Sequence, residues 1–216
     1  MRFLSTILDI IFPTNCIAYG KSGVNLCIKC LFESPASEHE CAKWIFPLYE
    51  YRHPPIKKAI WLLKYKGKKK LADIFAEIMY GRILEEIADL GLMENFKEPI
   101  LIPIPLSNKR RRERGFNQAE LICQALLKID ENKNFKLEKD VLVKTGNEKH
   151  QAYIENRAKR LKNILGSFAV RNAEKIKNKN VILIDDVITT GATLSEAKKI
   201  LKEAGVRKVI AFAVAH

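Results

Sequence analysis

The sequence predicts an α/β protein built on a mostly parallel sheet flanked by helices, with a small zinc-finger-like segment ahead of it. Three observations carry this. Runs at Ile100–Ile104 and Val181–Ile184, and Val206–Val214 apart from Arg207 and Lys208, are apolar without alternation, as in strands buried on both faces. Helix-patterned stretches separate these runs, and strand–helix alternation over the second half of the chain argues for a parallel sheet. Four of the five cysteines fall before residue 45. The chain therefore divides into residues 1–45 and residues 46–216.

The stretch from Val181 to Thr193 organises the rest. Its strand ends in adjacent carboxylates, Asp185 and Asp186, and a turn of small and hydroxyl residues follows: Thr189, Thr190, Gly191, Ala192 and Thr193. Leu194, Ala197, Ile200, Leu201 and Ala204 then recur at helical spacing, with Gly205 placed as the stop. Unpaired N–H groups at a helix start suit a phosphate, and a carboxylate pair suits the neighbouring hydroxyls of a ribose. The pattern therefore reads as a sugar-phosphate site held at both ends. The bland alternative makes Thr193-Leu-Ser-Glu196 a mere capping box, which leaves Asp-Asp and Thr-Thr-Gly unexplained together.

Composition narrows the class. The 216 residues carry 47% hydrophobic and 29% charged residues, the balance of a folded, soluble protein. A formal charge of +13, from 38 basic and 25 acidic residues, favours phosphorylated or polyanionic partners. The apolar run from Met1 to Phe12 is broken by Asp9 and is short of the roughly 20 residues a membrane span needs. Leu4, Ile7, Leu8 and Ile11 are expected to face inward from a short docking helix; no cleavage signal accompanies them, so a cytoplasmic location without a membrane span is expected.

Cys16, Cys27, Cys30 and Cys41 follow the spacing C-x10-C-x2-C-x10-C. The Cys27–Cys30 pair is a half-site for tetrahedral Zn²⁺, and His39 competes with Cys41 for the fourth position. Beyond it, a helix is expected after Pro54-Pro55 with Ile56, Ile60 and Leu63 on one face, then a basic turn from Lys66 to Lys70. Leu71 to Leu90 is patterned as a long amphipathic helix with Ile74, Ile78, Ile83, Ile87 and neighbours as the buried stripe. After the strand ending at Pro105 comes a concentrated cationic stretch, Lys109, Arg110, Arg111, Arg112 and Arg114, followed by a helix from Asn117 to about Lys128. Guanidinium forks match phosphate oxygens, so this stretch is a candidate for pyrophosphate or for nucleic-acid phosphates; a solvated basic turn is the alternative. Asp130 to Lys139 reads as a charged loop, Val141–Val143 and Phe168–Val170 as strands, and Lys144 to Arg160 as a polar segment suited to cover a ligand. No G-x-x-x-x-G-K-[ST] and no strand-linked G-x-G-x-x-G occurs, which sets other nucleotide folds aside.

The run from Val181 to Thr193 resembles the phosphoribosyl-pyrophosphate (PRPP) signature of type I phosphoribosyltransferases. The whole chain is similar to the ComF/GntX family, through Leu8–Pro13, Leu63-Lys-Tyr65 with Gly67, Pro103–Leu106, Arg112-Glu-Arg-Gly-Phe-Asn-Gln-Ala-Glu120, then Gln151, Arg157, Arg160, Asn163 and Gly166-Ser-Phe168. The resemblance implies a type I phosphoribosyltransferase-like fold and PRPP binding with Mg²⁺ on the pyrophosphate. It implies ribose on Asp185 and Asp186, and the 5′-phosphate on Thr189, Thr190, Gly191, Ala192 and Thr193. It further implies a role in natural competence, handling incoming single-stranded DNA alongside the competence machinery. Where the family carries a second C-x2-C pair, Tyr19 replaces a cysteine. Two functions stay open: a PRPP-binding protein of DNA uptake, and an active transferase passing ribose 5-phosphate to an acceptor. No general base for the second can be named from sequence.

Overall fold

The structure, a computed structural model, describes residues 16–17, 19–20, 26–38, 41–145 and 166–216. The helix expected within residues 1–12, His39 and most of the polar segment after Lys144 lie outside the described residues.

A five-stranded sheet organises the chain, in the order β1-β7-β6-β2-β3, with every neighbouring pair parallel. Its strands are β1 (Ile45–Tyr49), β2 (Ile100–Pro103), β3 (Lys136–Leu137), β6 (Asn180–Val187) and β7 (Lys208–Ala215). Helices α1 (Ile28–Phe32), α2 (Pro54–Tyr65), α3 (Lys70–Glu94), α4 (Asn108–Arg114), α5 (Gln118–Ile129) and α6 (Ala192–Glu203) complete the described elements, with a short 3-10 turn at Ala173–Lys175. Strands β4 (Leu142–Lys144) and β5 (Phe168–Val170) pair antiparallel with each other, apart from the main sheet.

The central strand β6 shows why Val181–Ile184 is apolar throughout. Ile182 and Ile184 join one core with Ile210, Phe212, Val214 and residues of α2, α3 and α5. Val181 and Leu183 join a second core with Val209, Ala211, Leu194, Ala197 and Leu201. Alternate residues thus feed opposite faces, and each face is covered by helices. The mostly parallel α/β sheet expected from sequence is the observed one.

Four local expectations are corrected. The stripe of α3 is Leu71, Phe75, Met79 and Ile83, all fully buried, whereas Ile74, Ile78 and Ile87 are only partly buried. The charged stretch from Asp130 to Lys139 contains edge strand β3. Ile45–Tyr49, given no strand from sequence, forms the opposite edge. The arginine-rich stretch is no turn but helix α4, capped by the Ser107 hydroxyl on the Arg110 N–H at 3.3 Å and ended by Gly115 at φ +77°, a conformation that favours glycine. β1 begins at Ile45, and Cys16, Cys27 and Cys30 of the segment before it pack into the first core with Tyr49, Ile56 and Leu63.

Candidate functional site

Parallel pairing gathers the predicted residues at one edge. Ile184 of β6 lies beside Pro103 of β2, and the Ile104 N–H donates to the Ile184 carbonyl at 2.9 Å. Both strands run the same way, so Asp185 and Asp186 and the start of α4 emerge from the same carboxyl end. That is where ligands bind in open α/β sheets. Asn117 reinforces the arrangement: it caps α5 through the Ala119 N–H at 3.1 Å and donates to the Ile104 carbonyl at 3.0 Å.

Strand β6 runs on through the carboxylates to Val187. The Asp185 Oδ1 accepts from the Asp186 N–H at 2.8 Å. Asp186, in step with Ile182 and Ile184, is 8% exposed and ion-pairs with Lys64 of α2 at 2.8 Å. Burial, and then the negative charge of Asp186, push the Asp185 carboxyl up to about 7, although the Asp186 N–H, Lys64 and Arg110 oppose the shift. Arg110 belongs to α4, which starts at the same end of the sheet.

The turn after β6 leads into α6. Gly191 is its N-cap at φ +70°, and a Cβ there would stand 3.5 Å from Ile45; glycine fits on conformational grounds first. The Thr190 hydroxyl accepts from the Ala192 N–H at 3.4 Å. Thr189 is exposed, and Thr190, Gly191, Ala192 and Thr193 are half-buried. The capping-box alternative fails on Glu196: its carboxylate is 5% exposed and accepts from the Gly166 N–H at 2.7 Å. The Thr145 hydroxyl in turn donates to the Gly166 carbonyl at 2.7 Å. Thr145, Gly166 and Glu196 of α6 are thereby linked through one chain of hydrogen bonds.

Lys109, Arg110, Arg111 and Arg112 are exposed, and Arg114 is half-buried. Arg114 donates to the Gln118 side-chain carbonyl at 3.0 Å and to the Tyr65 hydroxyl at 3.3 Å, with its guanidinium 5.0 Å from the Tyr65 ring centre. Lys64, Tyr65, Gly67, Glu113, Arg114 and Phe116 line an open pocket of ≈ 150 Å³. Around it, Trp61 and Tyr65 are 45% and 59% exposed. Lys66 stands over Trp61 and Lys69 over Phe116, at 5.4 Å and 5.1 Å.

Three of the four candidate zinc ligands meet. Cys16, Cys27 and Cys30 are buried with sulfur atoms within 4.8 Å of one another, Cys16 and Cys30 at 3.1 Å. Cys41 is not among them: it packs with Trp44 against the second core, on the other face of the sheet. Tyr19 turns outward, its hydroxyl donating to Glu33 and its ring beneath Lys29. The trio fits a soft divalent metal: three thiols of converging geometry supply thiolate ligands. Burial first, then the neighbouring thiols, push Cys30 up to about 12, a cost that a bound Zn²⁺ reverses by displacing the protons. If the trio holds zinc, elemental analysis should find one zinc per chain, lost in Cys27→Ala and kept in Cys41→Ala; loss in both would make Cys41 a ligand after all.

Residues 125–216 match the phosphoribosyl transferase domain. The chain is 37% identical over 167 residues to competence protein F of Haemophilus influenzae, covering 75% of this chain and 68% of that protein. This chain belongs to the ComF family. Within that family it is 24% identical over 203 residues to the DNA utilization protein YhgH of Escherichia coli O157:H7, covering 90% of this chain and 85% of the other. It is 30% identical over 152 residues to competence protein ComFC of Bacillus subtilis, with 69% of this chain and 55% of the other covered. Among solved structures, a hypoxanthine phosphoribosyl transferase of Trypanosoma cruzi aligns at TM-score 0.42 and 14% identity, over 67% of this chain and 64% of that one. For a ComF chain, the sequence reading missed Lys64, Gln118 and Glu196 as site-building residues. Lys64 and Gln118 both stand inside stretches that carried the family resemblance, which was the available signal.

Proposed function

We propose that this chain binds PRPP, with Mg²⁺ on its pyrophosphate, and works in DNA uptake by handling single-stranded DNA in the cytoplasm, alongside competence proteins. The observation that carries the PRPP reading is the convergence at one sheet edge of the Asp185–Asp186 pair, the small hydroxyl turn opening a 12-residue helix, and Arg110. In this reading the carboxylates accept from the ribose 2′- and 3′-hydroxyls. Thr189, Thr190, Gly191, Ala192 and Thr193 hold the 5′-phosphate with backbone and hydroxyl donors. Lys109, Arg110, Arg111, Arg112 and Arg114 offset charge on the pyrophosphate side. Bound Mg²⁺ would offset part of the pyrophosphate charge beside these cations. Calorimetric titration of PRPP with Mg²⁺ into the full chain should give saturable binding; a well-folded chain that takes up no PRPP would sink the reading.

The DNA reading draws on the relatives named for competence and DNA utilization and on the strip formed by Trp61, Tyr65 and Phe116 with Lys66, Lys69 and Arg114. Exposed aromatic rings interleaved with cations suit unpaired bases and their phosphates. Among the described residues no helix is long and apolar enough to cross a membrane. Trp61→Ala with Tyr65→Ala should weaken an oligothymidine about 10- to 100-fold in fluorescence anisotropy. Neutralising Arg110, Arg111 and Arg112 should instead flatten the salt dependence of binding. An unchanged affinity in the first variant would remove the strip from the DNA surface.

The second reading is transfer of ribose 5-phosphate, supported by the match to a phosphoribosyl transferase domain. An acceptor would attack C1 while pyrophosphate leaves, and α4 would stabilise the departing charge.

A further inference from the structure

We propose that Lys64 is a positioning residue of the ribose site: from a helix outside the signature, its ammonium orients Asp186 and keeps the neighbouring carboxylate pair charged for a ligand's diol. The inference rests on the reading of Asp185 and Asp186 as ribose-binding groups, and it takes up a lysine that the signature does not contain.

The geometry is specific. Lys64 and Asp186 stand 2.8 Å apart with side chains only 17% and 11% exposed. Water screens such a pair poorly, so removing one partner leaves the other charged and under-solvated. A carboxylate offers about four acceptor positions across its two oxygens; Lys64 approaches Oδ1 of Asp186, leaving the others for hydroxyl donors. Lys64 therefore fixes the carboxylate without occupying it.

The pair also needs a cation. Two adjacent carboxylates at a buried strand end repel, and burial together with Asp186 raises the Asp185 titration, which Lys64 and Arg110 draw back down. Among the described residues, the charged and titratable groups facing this corner come from two helices. Lys64 and Tyr65 come from α2; Arg110, Glu113 and Arg114 come from α4, with Glu113, Arg114, Tyr65 and Lys64 sharing one pocket. Arg110 acts from an exposed position. After the Asp186 N–H, Lys64 acts more strongly than Arg110, through its short, shielded contact with the neighbouring Asp186.

An ionised Asp185 accepts from a diol through both oxygens and more strongly than the protonated acid, which fixes the sign. A raised carboxyl titration leaves the group partly protonated near neutrality and fully charged only at higher pH. Losing the Lys64 charge raises the titration further and weakens ligand binding most at neutral pH. Lys64→Gln removes the charge but keeps a donor for Asp186; Lys64→Arg keeps the charge.

The test uses the full chain. Carboxyl-carbon NMR titration without ligand should move the Asp185 midpoint up by about one pH unit in Lys64→Gln and little in Lys64→Arg. Calorimetry with Mg²⁺ and PRPP should show Lys64→Gln weakened about fivefold to tenfold at pH 7 and close to wild type at pH 9, with Lys64→Arg within about threefold throughout. An unmoved Asp185 midpoint, or an affinity loss equal at both pH values, would reduce Lys64 to a packing role and overturn the proposal. If Lys64→Gln does not fold, Lys64→Arg decides: a loss as large as that of Asp186→Ala overturns a charge-based role. A wild-type chain that binds no PRPP defeats the ribose reading itself, a result distinguishable because the ligand-free titration still reads the hold of Lys64 on the pair.

Discussion

Asp185→Ala combined with Asp186→Ala is expected to remove PRPP binding, lowering affinity by at least about 100-fold. Hydrogen bonds to a charged group contribute about 1.5–3 kcal/mol each, and the double variant removes both carboxylates on which the ribose hydroxyls would rest. Titration calorimetry with Mg²⁺ present checks it. The variant also leaves Lys64, only 17% exposed, without its partner. Circular dichroism and a melting curve must accompany the titration, because an unpaired buried charge lowers stability by itself. Oligothymidine affinity provides the contrast. If DNA binds through the strip around Trp61 and Tyr65, it should survive the loss of both carboxylates nearly intact. Retained PRPP affinity in the folded double variant would show that the ribose is held elsewhere.

Phe212→Ala is expected to give the largest loss of stability, about 3–5 kcal/mol, the range for truncating a fully buried phenylalanine. Phe212 has no exposed surface and sits on β7, which lies between β1 and the central strand. Its ring stacks on Phe46 of β1 with centroids 5.0 Å apart at 24°. Across the sheet it stands in register with Ile184, the residue before Asp185. The vacated volume would loosen both the edge strand and the strand that carries the carboxylates. Urea unfolding should show the midpoint falling with little change in slope, and thermal unfolding should fall by about 10 °C. A loss below about 1 kcal/mol would mean that the surrounding side chains collapse into the space.

What the sequence made legible follows from where the physics is local. The unbroken apolar run of β6 announced a strand covered on both faces, and Asp185, Asp186 and the turn after them were readable because spacing along one strand and one helix start sets their geometry. Strand β1 was not: five residues with Pro47 at their centre carry little β signal, and only pairing with β7 makes them a strand. Three-residue strands such as β4 and β5 hold no information on partner or direction, so Val141–Val143 could not be separated in advance from the main sheet. In α3, apolar residues occur nearly all round, and the stripe was therefore misplaced by one position, onto Ile74 and Ile78 instead of Phe75 and Met79. The Lys64–Asp186 pair joins residues far apart in sequence and exists only once α2 packs over the sheet. Cys41 shows the converse: its spacing was compatible with the other thiols, yet the sheet stands between them.

The outer strands of the sheet carry a consequence for life in a crowded cell. An open sheet ends in unpaired backbone donors and acceptors, which can template the addition of a strand from another chain. Here one border is two residues long, and the other is covered by the segment before it: Ala36 bridges Tyr49 antiparallel, the Ser37 N–H donates to the Leu48 carbonyl and the Glu50 N–H to the Pro35 carbonyl. The surplus of positive charge, +13 over the chain, adds repulsion between copies. Strand-by-strand polymerisation is thereby denied a template.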